Sequence, residues 1–282
     1  MRGSHHSAGV KLVIRNPAAA GQFYAGSRES LIKETVKLTQ PSPEKKEDAI
    51  GVISPHAGYV YSGSVAGLTL GSIIPKPVYV IMGPNHTGLG SPFSLSTSDS
   101  WATPLGSVTI NKTLAEKIIK NCPQISKDEF AHTQEHSIEV QLPILQTLQE
   151  NFTIVPIVIS QGGIELYRKI GQGIAKSIKE LKLEKDVVII ASSDMTHYES
   201  QKSAEKKDSR AIDAILKLDE EALVECIEKF DISMCGSAPA AIMIVAAKSL
   251  GARRALLIKY QTSGDISGDY SSVVGYAGIV IY

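Results

Sequence analysis

The sequence predicts a single α/β domain with a largely parallel central sheet flanked by helices, and three observations predict it. Short apolar runs rich in Val and Ile recur along the chain, among them AIGVIS, VYVIM and VVIIA, each ending in Gly, Ser, Pro or Asn. Such runs read as strands buried on both faces, which is what a parallel sheet demands. Segments with helical apolar spacing separate them, so strand and helix alternate throughout. No internal repeat appears, and no linker is long enough to divide the chain.

In order along the chain, MRGSHHSAGV lacks the apolar core of a signal peptide and reads as a leader or tag over residues 1–10, leaving 11–282 as the domain. NPAAAGQFYAG (Asn16 to Gly26) is turn-rich and leads to a helix over Ser27–Thr39. PSPEKKED (Pro41 to Asp48) is a charged surface loop. A strand near Ile50–Ser54, a helix near Gly63–Ile73 and a strand near Val78–Met82 follow. FSLST and SVTI form two short β segments before a helix over Lys112–Lys120. SIEVQLPILQTLQ (Ser137 to Gln149) has helical spacing, with Pro143 either kinking the helix or standing near its start. A strand at Phe152–Ile159, a helix at Ile164–Leu181 and a strand at Val187–Ala191 continue the alternation. Two helices within Ser203–Phe230, another at Ala238–Leu250, and strands at Ala255–Tyr260 and Ser272–Tyr282 complete it.

Composition narrows the function. The chain has 282 residues, 43% hydrophobic, which is ample for a core, and no apolar stretch long enough to span a membrane. Lys plus Arg and Asp plus Glu both total 29, with no basic stripe, so a nucleic-acid footprint is not expected. Cys122, Cys226 and Cys235 are an odd, scattered set, which argues against a disulfide framework and for a reducing cytoplasm.

The chemistry gathers where strands end. His56, His86 and His197 each follow an apolar run, in SPHAGYVYSG, GPNHTGLG and SSDMTHY. In open α/β sheets the ligand crevice lies beyond the carboxyl ends of the strands, so these histidines are expected to converge. Pro55 and Gly58 constrain the loop of His56, and Gly83 and Pro84 impose a sharp exit before His86. Asp194, three residues before His197, would orient or charge an imidazole. The plainer alternatives are loop histidines bonded to backbone and an Asp that caps a helix.

His132 to His136 spells H-x-x-E-H, an inverted zincin pattern that on one helix would bind zinc with Glu135 as base. The preceding KDEFAHTQ lacks helical periodicity, and Ser137 is a plausible helix start, so a zinc peptidase is a remote alternative. His136, with Glu135, stays a site candidate. Cys235, in a small-residue turn before a helix, is the reactive cysteine candidate; as a structural residue it would be a small buried hydrophobe. Cys122 and Cys226 read as structural. No P-loop, dinucleotide fingerprint or G-x-S-x-G elbow is present, and GDISGDYSS (Gly264 to Ser272) reads as a loop at the pocket rim.

Taken together, NPAAAGQFYAG, SPHAGYVYSG, GPNH, EHSIEVQLP, SSDMTHY and CGSAPAAI resemble the signature blocks of the MEMO family, in the family's order from about Arg15 to the C-terminus. That family's fold is similar to class III extradiol ring-cleaving dioxygenases, which hold non-haem Fe(II) with two histidines and a glutamate. The resemblance implies His56 and His86 as metal ligands, with Cys235 where the dioxygenases have their carboxylate. It places His136, Asp194 and His197 in the same pocket as catalytic partners. Thiolate in place of carboxylate softens the site towards Cu(I), zinc or thiolate-bound iron. An iron or copper ion, with zinc as a third choice, is the implied cofactor. The implied activity is a metal-dependent oxidoreductase; the alternative is a non-catalytic pocket for a peptide, small ligand or metal.

Overall fold

A computed structural model describes residues 12–40 and 45–282. The predicted leader at 1–10 and the first half of the charged loop (41–44) lie outside the described residues. The elements in chain order are β1 (Ile14–Arg15), α1 (Arg28–Leu38), β2 (Gly51–Ser54), α2 (Tyr59–Gly71), β3 (Val78–Pro84), β4 (Phe93–Leu95), β5 (Ser100–Thr103) and β6 (Gly106–Ile110). They continue with α3 (Lys112–Asn121), β7 (Ser126–Lys127), α4 (Leu142–Leu148), β8 (Thr153–Ile159), α5 (Ile164–Glu180) and β9 (Val187–Ser192). The chain closes with β10 (His197–Glu199), α6 (Gln201–Leu216), α7 (Glu220–Phe230), α8 (Ser237–Ser249), β11 (Ala255–Thr262), α9 (Gly264–Ser267) and β12 (Val273–Ile281).

One sheet runs through the molecule in the order β1-β5-β6-β8-β3-β9-β2-β12-β10, with β11 added on β12, β4 on β8 and β7 on β4. Its centre, β6-β8-β3-β9-β2, is parallel. Antiparallel pairs (β5-β6, β4-β8, β2-β12, β11-β12) flank that centre. The expected parallel core is therefore present, and the edges are mixed. Every residue of β2, β3 and β9 is buried, which explains why these strands read as unbroken apolar runs.

Two apolar layers sandwich the sheet. Ile157, Ile170, Ile189, Ile242 and Ile244 belong to the layer under α3 and α5–α8. Leu31, Tyr59, Leu70, Ile81 and Ile144 belong to the layer under α1, α2 and α4. Helix α8 is apolar all round because it is wedged between α5 and β9, and its first eleven residues are buried. Local chemistry sets the helix starts: Ser27, Asn111 and Asp219 each accept a bond from a first-turn N–H at the heads of α1, α3 and α7.

Three details differ from the sequence reading. Helix α2 starts at Tyr59, four residues earlier than expected, because Gly58 turns the chain directly into it. Pro143 stands at the head of α4, after a 3₁₀ turn at Glu139–Gln141, so no kink forms. The short strands β1, β5, β7 and β10 and the four-residue α9 within GDISGDYSS were not expected. Each is too short to carry a periodic signal, and β5 is held by pairing to β6 over a two-residue turn.

Candidate metal centre

The topology brings the candidates together. Strands β3, β9 and β2 are neighbours, so the residues past their carboxyl ends share one crevice: His86 after β3, Asp194 and His197 after β9, His56 after β2. Three imidazoles meet there. The ligating nitrogens of His56, His86 and His136 lie within 4.8 Å of one another. Their rings are 5.1 Å apart for His56 and His86, and 4.8 Å and nearly parallel for His86 and His136. Phe23 stacks on the other face of His136 at 4.2 Å. His56 is buried, His136 half-buried and His86 exposed, so the cluster opens to solvent on the His86 side.

Hydrogen bonds fix which nitrogen each ring presents. Ser192 Oγ donates to the Ser137 carbonyl at 2.6 Å, so its proton is committed. It accepts from Gln141 Nε2 at 2.8 Å and meets His56 Nδ1 at 2.9 Å. Nδ1 must then carry the hydrogen, and Nε2 keeps its lone pair. Glu135 imposes the same tautomer on His86, accepting from Nδ1 at 2.9 Å. Carboxylate or hydroxyl partners behind a ring in this way are the usual support for histidine ligands.

Glu135 is the hinge of the site. It is fully buried and accepts from His86 N (2.7 Å), His136 N (3.0 Å) and Ser137 N (2.9 Å) as well as the ring. Burial alone would raise its pKa, but the bond to the His86 ring and its neighbours outweigh that and lower it to about 2. Burial pushes the His56 and His136 pKa values below the usual imidazole range, with the neighbouring imidazoles adding to the effect. Neutral rings are the ligating form.

Cys235 precedes α8, and its Sγ sits 3.2 Å from His56 Nε2. Asp194 N–H donates to the sulfur at 3.3 Å. Burial, and then the Asp194 charge, push the Cys235 thiol well above its ordinary value. It is therefore a protonated thiol at neutral pH. Asp194 Oδ1 accepts from His56 N (2.7 Å) and Ala57 N (3.3 Å), clamping the His56 loop against β9. His197 is anchored through Nδ1 to the Ser233 carbonyl at 3.0 Å, two residues before Cys235. Two close approaches make the geometry possible: a Cβ on Gly83 would fall 2.3 Å from Ser137 Oγ, and one on Gly236 would fall 2.4 Å from Ser192 O.

The remaining candidates lie elsewhere. His132 is buried with Nε2 on the Ser94 carbonyl and its ring against Trp101, outside the cluster. Residues 130–132 form a 3₁₀ turn and Glu139–Gln141 another, so His132 and His136 never share an α-helix and the zincin arrangement does not form. Cys122 is buried against Ile170, and burial pushes its thiol up to about 12. No local pattern in the chain signals the scaffold behind Glu135. Buried Arg15 donates to the His132 and Glu135 carbonyls, pairs with Glu139 and lies over Trp101. Glu139 also accepts from Ala18 N, Ala19 N and the Tyr24 hydroxyl. Arg15 and Glu139 lie 124 residues apart, and no local pattern announces such a pair.

The chain is thus an α/β protein with a cluster of three imidazoles, beyond the carboxyl ends of its central parallel strands, that could hold a metal ion. A family model described as Memo-like protein matches residues 15–280, and this chain belongs to that family. A MEMO1 family protein of Methanopyrus kandleri is 44% identical over 94% of this chain and 98% of its own. Proteins of the same description from Methanosarcina acetivorans (43%; 95% and 99%) and Pyrobaculum aerophilum (41%; 95% and 99%) match at similar length. Among the described residues no helix is long and apolar enough to cross a membrane.

Proposed function

We propose that this chain binds one redox-active metal ion, iron or copper, and acts as a metal-dependent oxidoreductase. His56, His86 and Cys235 hold the ion, and His136, Asp194 and His197 serve as partners in the pocket. The observation that carries the reading is the tautomer lock: Ser192 and Glu135 hold Nδ1 of His56 and His86 and leave Nε2 of each as the donor nitrogen, with the Cys235 sulfur 3.2 Å from that of His56. A donor set of two neutral imidazoles and a soft sulfur suits Cu(I), zinc or thiolate-bound iron better than a hard cation. An ion there supplies the electron-transfer capacity that amino-acid side chains lack. The chain's own residues do the rest: His136, stacked between His86 and Phe23, is placed to hold or release a proton at the open side, and Asp194 fixes the His56 loop.

His136 offers a nitrogen within 4.8 Å of those of His56 and His86, so it is a candidate further ligand. The alternative function is a non-catalytic pocket that holds a peptide, small ligand or metal. Metal analysis of anaerobically loaded protein, followed by oxygen uptake with a reductant, separates the two. Bound metal with oxygen consumption supports the oxidoreductase; bound metal that consumes none leaves the binding pocket; no bound metal overturns the proposal.

A further inference from the structure

The sheet ends on one side at β11, an eight-residue strand that among the described residues pairs only with β12. At the far end, β1 has two residues, so among the described residues β11 is the sheet's one long open edge. An edge of this length with apolar side chains is a template for another strand, and proteins commonly guard such edges with charge or cover them. Here the charge is turned inward, and a register shift between Leu257 and Lys259 irregularly spaces the strand so that Leu257 and Tyr260 line the same groove. Lys259, the strand's only charged residue, directs its ammonium to Ser64 Oγ on α2 at 3.1 Å. Leu256 is 43% exposed, and Leu257, Ile258 and Tyr260 are half-buried.

Beside the edge, between β11 and α6, runs a groove of about 360 Å³ lined by Ile212, Leu216, Leu257 and Tyr260, with Glu205 and Asp213 at its rim. Charge is distributed along the strand with opposite signs at its two ends. Exposed Arg253 and Arg254 precede it; Asp265, which caps the Thr262 N–H at 2.7 Å, and Glu205 flank its end.

We propose that two copies of this chain associate through β11, edge to edge and antiparallel about a two-fold axis, continuing the sheet across the dimer. The occupant follows from self-complementarity, which a two-fold interface requires. Overlapping all eight residues sets Ala255 across from Thr262 and Leu257 across from Tyr260. Directly opposed residues share a face, so each copy's Leu257 lies over the other's Tyr260 and the two α6 grooves close into one apolar layer. The same register carries Arg253 and Arg254 to Ser263 and Gly264 of the second copy, next to Asp265 and near Glu205. A parallel arrangement would set arginine against arginine. The proposal is independent of the metal centre, which lies across β12 and β2 from this edge.

Sedimentation or light scattering of the full chain over a dilution series tests it. The expected mass is twice the 30.2 kDa of one chain. Leu257→Arg puts cations into the shared apolar layer. The Arg253→Glu/Arg254→Glu double variant, on exposed positions that leave the core untouched, sets acid against acid. Both should raise the dimer dissociation constant about tenfold or more, and Glu205→Lys should recover part of the loss in the double variant. Wild-type protein that runs as a 30.2 kDa monomer at every concentration overturns the proposal. So does a dimer that both variants leave intact.

Discussion

Replacing Glu135 with glutamine changes one atom and should damage both stability and ligand geometry. The carboxylate sits fully buried and accepts four bonds, from His86 N, His86 Nδ1, His136 N and Ser137 N. A glutamine amide offers one acceptor oxygen and turns an NH₂ towards donors, so one or two buried N–H groups lose their partner. Each stranded donor costs about 1–3 kcal/mol, which predicts a loss of about 2–5 kcal/mol at neutral pH. The lowering of the Glu135 pKa from 4.5 to about 2 gives an independent scale of about 3 kcal/mol. Because the folded value lies below the unfolded one, this stability is complete above pH 4.5 and disappears as pH falls through about 2. Urea unfolding of wild type and Glu135→Gln at pH 7 and at pH 3 should therefore show a large difference that narrows in acid. Metal affinity should fall about 10–100-fold, since the amide no longer holds His86 in its ligating tautomer. A variant within about 0.5 kcal/mol of wild type at pH 7, with unchanged affinity, would refute the reasoning.

Other outcomes follow from the same geometry. Gly236→Ala drives a methyl group to 2.4 Å from Ser192 O and Ser193 Cβ, so α8 must shift and carry Cys235 away from His56; chemical denaturation should show a loss of about 1–3 kcal/mol, with weakened metal binding. Burial lowers the His132 pKa to about 4, and its Nδ1 is buried without a hydrogen-bond partner. The stability it contributes is present above pH 6.5 and lost as pH falls through about 4, so His132→Gln should flatten the loss of stability between pH 7 and pH 4.

The strand ends were legible because buried parallel strands produce unbroken apolar runs, and a polar residue just past such a run has a predictable address. By that logic His56, His86 and Asp194 fall just past the adjacent strands β2, β3 and β9, whereas His197 opens β10 and bonds the Ser233 carbonyl. His136 was reachable through the H-x-x-E-H string and its expected place beside a helix start rather than through periodicity, since it lies on a loop between two 3₁₀ turns. The supporting shell was less legible. Ser192 reads as one more small residue at a strand end, and Gln141 as one polar position in an apolar helix, yet together they set the His56 tautomer. Hydrogen-bond networks join residues by direction and distance after folding, and single-residue chemistry does not encode them in sequence. The H-x-x-E-H string shows the reverse case: spacing alone suggested a shared helix, but His132 closes one 3₁₀ turn and His136 lies on the loop before the next.

In the proposed site, His56, His86 and Cys235 surround one ion. Anaerobic titration of Cu(I) and Fe(II) into wild type, His86→Ala and Cys235→Ala tests it most directly. The expected results are one ion per wild-type chain, loss of binding in His86→Ala, and in Cys235→Ala a selective fall in Cu(I) affinity as the soft donor is removed. Equal Cu(I) and Fe(II) affinities in wild type and Cys235→Ala would contradict the thiolate's role, and an ion that binds His86→Ala as tightly as wild type would contradict the site itself.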